Sequence, residues 1–220
     1  MGDAVFDSGH LSHSEFRDAF TRTFGAAPGE KEGTDSIRLG LIESALGPLL
    51  AGADDRGVCL LEFSDRWTLE AQLANLRRRL GRPLVPGENA LLARLRSELA
   101  EYFARRRRAF EFPLHAPGTP FQEGVWNELL LIPYGEVRSY EEIARRIGAP
   151  KAVRAVGRAN GMNRIAIVIP CHRVVGKDGS PVGYGGGVHR KEWLLNLERG
   201  APQSIRMSAS AGVDRKESDA

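Results

Sequence analysis

A chain of 220 residues that is 42% hydrophobic and 27% charged has ordinary globular composition, which excludes disordered and fibrous classes and allows one medium domain or two small ones. The net charge of +3 is uneven: residues 1–138 hold 17 Lys/Arg against 20 Asp/Glu, residues 139–200 hold 11 against 5, and residues 201–220 hold 3 of each. A positive field concentrated in about 60 residues suits a polyanion, because neutralised phosphates release counterions, while the competing reading is a solvated surface.

The longest apolar runs, Leu129 to Pro133 and Ile165 to Pro170, fall far below the roughly 20 residues of a bilayer span, and no basic-then-apolar segment opens the chain. A cytoplasmic protein that does not engage a membrane is expected. Two cysteines, Cys59 and Cys171, cannot build a disulfide framework or a four-thiolate zinc site, so each is a core residue or a reactive thiol.

In chain order, Ser12-His13-Ser14-Glu15 is a capping-box pattern that opens a short helix, with Phe16, Ala19, Phe20 and Phe24 on one face and Gly25 as its stop. The stretch from Phe6 to Glu30 resembles the end of the second helix-turn-helix of AraC-type regulators. Residues 1–33 are therefore read as a fusion remnant, too short to be an intact DNA reader. Short β-like runs follow, Ile37 to Ile42, Pro48 to Ala51 and Val58 to Phe63, separated by Gly47 and by Asp54-Asp55-Arg56-Gly57. They predict a small antiparallel sheet with Cys59 as a buried strand residue. Helices are predicted over Trp67 to Leu80, with Leu69, Leu73, Leu76 and Leu80 on a common face, and from Asn89 to about Arg106. The arginine run Arg105 to Arg108 reads as a solvated helix end, Phe110 to Leu114 as a returning strand, and His115 to Pro120 as a connection.

The remainder is mostly helical. A helix is predicted over Phe121 to Leu131, ended by Pro133-Tyr134-Gly135-Glu136, and Ser139-Tyr140-Glu141-Glu142 is a capping box opening a helix to Ile147. Gly148-Ala149-Pro150 is a tight turn into a further helix, Lys151 to about Asn160, so the pair reads as a helix-turn-helix. Lys151, Arg154 and Arg158, three and four apart, give its second helix one basic face.

Ile165 to Pro170 should be buried and delivers Cys171-His172-Arg173 at the edge of a core. A thiol becomes nucleophilic when a base, a cation or a helix N-terminus favours its thiolate, and His172, Arg173 and a possible helical turn adjoin it. A Cys-His dipeptide alone is weak evidence. Gly183-Tyr184-Gly185-Gly186-Gly187 offers an aromatic ring amid backbone that can approach a ligand, or simply a flexible loop.

The run from Phe121 to Gly200, above all Ile169-Pro170-Cys171-His172-Arg173-Val174, resembles the O6-alkylguanine-DNA alkyltransferases, including those fused to AraC-like modules in adaptive-response regulators. The resemblance covers residues 36 to 200 and is stronger in the second half. It implies an α+β fold: an α+β subdomain with a small antiparallel sheet over 34–118, a mainly helical catalytic and DNA-binding domain with a winged-helix-like helix-turn-helix over 119–200, and a disordered tail over 201–220. It implies an alkyl acceptor at Cys171, a water-linked histidine at His172, its orienting glutamate at Glu198 and a hinge asparagine at Asn163. Tyr140 falls on the tyrosine that assists the departing base, and Tyr184, Val174 and Gly185 fall in the base pocket. Arg154 falls on the arginine inserted where the flipped base was, with Lys151, Arg158 and Ser139 on the DNA. The implied substrate is double-stranded DNA carrying O6-alkylguanine, repaired once per molecule by a monomer, with no cofactor and no metal. Ala149 stands where some members carry a phosphate-contacting Asn, and Gly185 where some carry Ser, which implies a more open pocket. A damage-binding protein of the alkyltransferase-like kind and a transcription regulator are the alternatives, the first disfavoured by Cys171 and the second by the brevity of the N-terminal match.

Overall fold

Ile37–Ile42 (β1), Leu49–Ala53 (β2) and Val58–Phe63 (β3) are near-continuous apolar runs, and all but one of their residues are buried, as in a sheet covered on both faces. They come from a computed structural model that describes residues 35–200, so the remnant read over 1–33 and the tail read over 201–220 lie outside the described residues. The strands pair antiparallel in the order β3-β2-β1, and Leu84–Pro86 (β4) adds a fourth strand parallel to β1. The sheet is thus mixed. Three residues ending in Pro are too short to show a period of two.

The strands' alternation sends Ile37, Leu39, Leu50 and Leu60 to one face, against Leu69, Leu73 and Leu76 of helix Leu69–Leu80 (α1). Leu49, Ala51, Leu61 and Phe63 face the other way, toward Leu92, Leu95 and Leu99 of helix Ala90–Phe103 (α2) and toward the second half of the chain. Gly52 opposes Leu60 while Ala53 opposes Val58, so Cys59 is the extra residue of a bulge. It is fully buried, and burial pushes its thiol up to about 12, as an inert core cysteine requires.

Two expectations need correction here. Helix α2 ends at Phe103, and Arg107 beyond it pairs with Glu101 at 2.8 Å and Glu98 at 3.3 Å instead of being merely solvated. Phe110 to Leu114 forms no strand. Pro113 lacks an N–H for a ladder, and only a single parallel bridge joins Leu114 to Val58.

The second half is built on helices Pro120–Leu130 (α3), Tyr140–Arg146 (α4), Val153–Gly161 (α5) and Val188–Glu198 (α6). Capping boxes open α3 (Thr119 with Gln122) and α4 (Ser139 with Glu142). Arg138–Ser139 (β5) pairs in parallel with Val174–Val175 (β6) beside the α4-α5 helix-turn-helix. Helix α5 starts later than the sequence suggests, because Ala152 N bonds Ala149 O at 2.8 Å and closes a separate turn first. Lys151 therefore belongs to that turn, and only Arg154 and Arg158 share the helix face.

The halves share one hydrophobic core, in which Leu61 and Phe63 join Leu129, Val156, Ile165, Cys171 and Leu194. Strand β3 also clamps the segment leading to Cys171, with Leu61 N donating to Arg164 O at 2.8 Å and Ala166 N to Leu61 O at 2.7 Å.

Candidate active site

Residues 165–170 are buried but turn instead of extending, and Ile167 adopts φ 71°, a left-handed conformation that a β-branched side chain rarely takes. Such a bend persists only where surrounding bonds fix it. Asn163 supplies them: its Oδ1 accepts from Ile165 N at 2.9 Å while its Nδ2 donates to Ile169 O at 2.9 Å and to Cys171 Sγ at 3.1 Å. The single turn of 3-10 helix over Cys171–Arg173 is held from α5 by Asn160 Nδ2, 3.3 Å from Cys171 O.

Burial pushes the Cys171 thiol up to about 11, with Asn163, Arg66 and Lys191 acting against it and Glu62 with it. At neutral pH the resting group is a thiol, so nucleophilic chemistry here needs a base. His172 is fully buried next door, and burial holds its pKa below the usual 6.5 despite the neighbouring Glu198. Its Nε2 meets Glu198 Oε1 at 3.0 Å, which assigns the proton to Nε2, and its Nδ1 has no hydrogen-bond partner. The bare nitrogen is an acceptor.

Glu198, at the end of α6, sits in a cradle of donors. Tyr102 Oη donates to it at 2.7 Å, Gly135 N at 3.0 Å, and Arg173 through Nε and Nη2 at 2.9 Å each. Burial would raise its pKa, but hydrogen bonds and charge from His172 and Arg173 outweigh that and hold the carboxyl far below the usual carboxylate range. Glu198 is therefore an anion that fixes the imidazole's orientation.

Tyr140 opens α4, and its hydroxyl donates toward Val182 O and Gly183 O at 3.2 Å. Burial, then the nearby Cys171, pushes it up to about 12, so it stays a proton donor. Tyr184 keeps its hydroxyl buried without a partner, and Val174 is buried in β6. Lys191, fully buried, ties both sides of this loop by donating to Val174 O and, at 2.6 Å, to Val182 O.

Gly185 does not open the pocket as the sequence suggests. A Cβ there would lie 2.6 Å from Nη2 of Arg66 and closer still to its Cζ, so that guanidinium already fills the space. Arg154, Lys151 and Arg158 are exposed. Ser139 spends its hydroxyl on the cap, accepting from Glu142 N at 3.2 Å and donating to Glu142 Oε2 at 2.8 Å. Cys171, His172, Glu198 and Asn163 converge, with Tyr184 on the adjoining loop and Tyr140 at the start of α4 bonded to that loop. Sequence reasoning missed Asn160, Arg66, Lys191 and Tyr102. Only Asn160 carried a local signal, lying in the basic helix three residues before Asn163. Among the described residues, no group of three or more His, Cys, Asp or Glu is placed to hold a metal ion, and no helix is long and apolar enough to cross a membrane.

Two family models divide the chain between them: the DNA binding domain of 6-O-methylguanine DNA methyltransferase matches residues 120–200, and its ribonuclease-like domain matches residues 37–116. A methylated-DNA--protein-cysteine methyltransferase of Mycobacterium leprae is 54% identical over 158 residues, covering 72% of this chain and 90% of that one. One from Methanosarcina barkeri is 43% identical over 159 residues, covering 72% and 94%. The crystal structure of Mycobacterium tuberculosis OGT in complex with DNA superposes with a TM-score of 0.65 at 42% identity, covering 75% of this chain and 95% of that one. With both halves matched in order, and a relative 54% identical over 90% of its own length, the chain belongs to the 6-O-methylguanine DNA methyltransferase family.

Proposed function

We propose that this protein repairs O6-alkylguanine in double-stranded DNA by moving the alkyl group irreversibly onto its own Cys171. One observation carries the reading: a buried thiol held by Asn163 is followed in the chain by a neutral histidine with one ring nitrogen, Nε2, fixed by an anionic glutamate and the other, Nδ1, without a hydrogen-bond partner. The thiol proton passes to Nδ1 of His172 through water. Sulfur then attacks the alkyl carbon as the C–O6 bond breaks, and the guanine takes up a proton in place of the alkyl group. Tyr140 is the donor to the departing base, and Tyr184, Val174 and Gly185 line its pocket. The product thioether is not reversed by thiol exchange, so each molecule acts once.

The target atom is buried in a duplex, so the nucleotide must be extruded at a cost of a few kcal/mol. In this reading Arg154 fills the vacated stack and Lys151 and Arg158 hold phosphates, while Ser139, whose amide and hydroxyl are both engaged by Glu142, lies beside the DNA. The same proposal takes residues 34–118 as the supporting subdomain and 119–200 as the catalytic and DNA-binding one, acting as a monomer in the cytoplasm. Intact-mass measurement after incubation with a duplex containing O6-methylguanine tests it. One added methyl is expected, on Cys171 and absent in Cys171→Ala. Binding without any mass gain would instead support the damage-binder alternative, and a methyl on Cys59 would refute the acceptor assignment.

A further inference from the structure

Arg66 follows β3 in the turn before α1, where an arginine would ordinarily reach into solvent, yet its side chain is only 10% exposed. Its guanidinium is pinned from three sides. Nη1 pairs with the buried carboxylate of Glu62, Nη2 donates at 2.7 Å to the carbonyl of Gly161 at the end of α5, and the plane lies against Gly185 in the loop beside Tyr184. Gly161 is two residues from Asn163, which holds the thiol. The neighbouring Gly186 is covered in the same way by the Phe63 ring, so the end of β3 lines this side of the loop with side chains from the other half of the molecule.

We infer that Arg66 is a specificity-determining residue, its guanidinium forming the wall that limits the size of the alkyl group able to reach Cys171. The inference rests on the reading of Cys171 as the acceptor and assigns to the sheet half a part in substrate choice. Glycine at position 185 leaves room that Arg66 takes, so the pocket's width is set by a side chain distant in sequence. The charge of Arg66 also favours the thiolate while that of Glu62 opposes it. Loss of that effect would slow transfer of every alkyl group alike, whereas loss of the wall would favour bulky groups alone.

Single-turnover rates on two duplexes that differ only in carrying O6-methylguanine or O6-benzylguanine separate these effects. In Arg66→Ala the benzyl-to-methyl rate ratio should rise about tenfold, the scale on which pockets discriminate small apolar groups. Glu62→Gln combined with Arg66→Ala removes the buried charge together with its partner, keeps the variant foldable, and should give the same ratio. Unchanged ratios in both, with the two rates falling together, would make Arg66 a strut between the halves and overturn the inference. Failure of the unsubstituted protein to alkylate Cys171 would instead overturn the underlying reading, and the two failures are read in different samples.

Discussion

Arg173 grips Glu198 with two hydrogen bonds, Nε to Oε2 and Nη2 to Oε1, both at 2.9 Å. The fork neutralises the carboxylate without lending it a proton, which leaves His172 free to remain neutral. Arg173→Ala should strand a buried anion and cost about 3–5 kcal/mol of stability. Urea unfolding measures it. A loss no larger than that of an exposed ion pair would mean that the other donors suffice.

In the proposed mechanism, proton uptake by His172 sets the acid limb of the reaction. Burial holds its pKa below 6.5, so the transfer rate should be level through neutrality and fall only at lower pH. Glu198 works to raise that pKa, so Glu198→Gln should shift the limb further toward acid while lowering the plateau. Rates measured from about pH 5 to 8 test both effects, the range over which histidine titrates. A limb moving toward alkali would contradict the assignment.

The same dyad predicts acid sensitivity. His172 and Glu198 both have folded pKa values below their ordinary 6.5 and 4.5, so each binds fewer protons folded than unfolded and stability rises with pH across those windows. Tm should therefore decline as pH drops below 6.5 and decline again below 4.5, and Glu198→Gln should make the second step smaller, the remainder coming from Asp55, Glu142 and Asp178, whose pKa values are also lowered.

Asn163 lowers the thiol pKa against burial and braces the bend at Ile167. Asn163→Ala should raise the Cys171 pKa above about 11, slow transfer, and cost about 1–3 kcal/mol through unmet buried hydrogen bonds. Asn163→Asp should slow transfer further, because an anion would then face the thiolate. Thiol titration by ultraviolet absorbance, alongside single-turnover rates, decides between bracing and electrostatic roles.

Three exposed cations divide by location. Lys151 lies in the turn before α5 and Arg158 in its last turn, and losing either should weaken binding to every duplex about equally and reduce the salt slope by about 1. Arg154→Ala should slow transfer from duplex DNA far more than transfer from free O6-benzylguanine, which needs no extrusion. Equal impairment on both substrates would remove the extrusion role.

Local chemistry was readable from sequence where its cause is local. The Ser139–Glu142 capping box, the face of Leu69, Leu73 and Leu76, and the burial of Cys59 each depend on neighbours within a few positions. Lys151 was misplaced because one backbone bond, Ala152 to Ala149, decides where a helix begins. The convergence of Asn163, Cys171, His172 and Glu198 was legible only through the resemblance, since the contacts join residues up to 26 positions apart. Arg66 escaped altogether. Its partner Gly161 lies 95 positions away, and no period or spacing signals such a contact.

The bulge at Cys59 belongs to the strand whose Leu61 grips residues 164 and 166 on the way to the Cys171 thiol. Peeling that strand away would withdraw the floor beneath Cys171, so the sheet and the catalytic helices should melt as one cooperative unit. Cys59 thereby becomes a built-in sentinel. A thiol reagent that cannot reach it in the intact protein should label it only when the surroundings of Cys171 have also come apart, and its labelling rate would report the integrity of a site in the other half of the molecule.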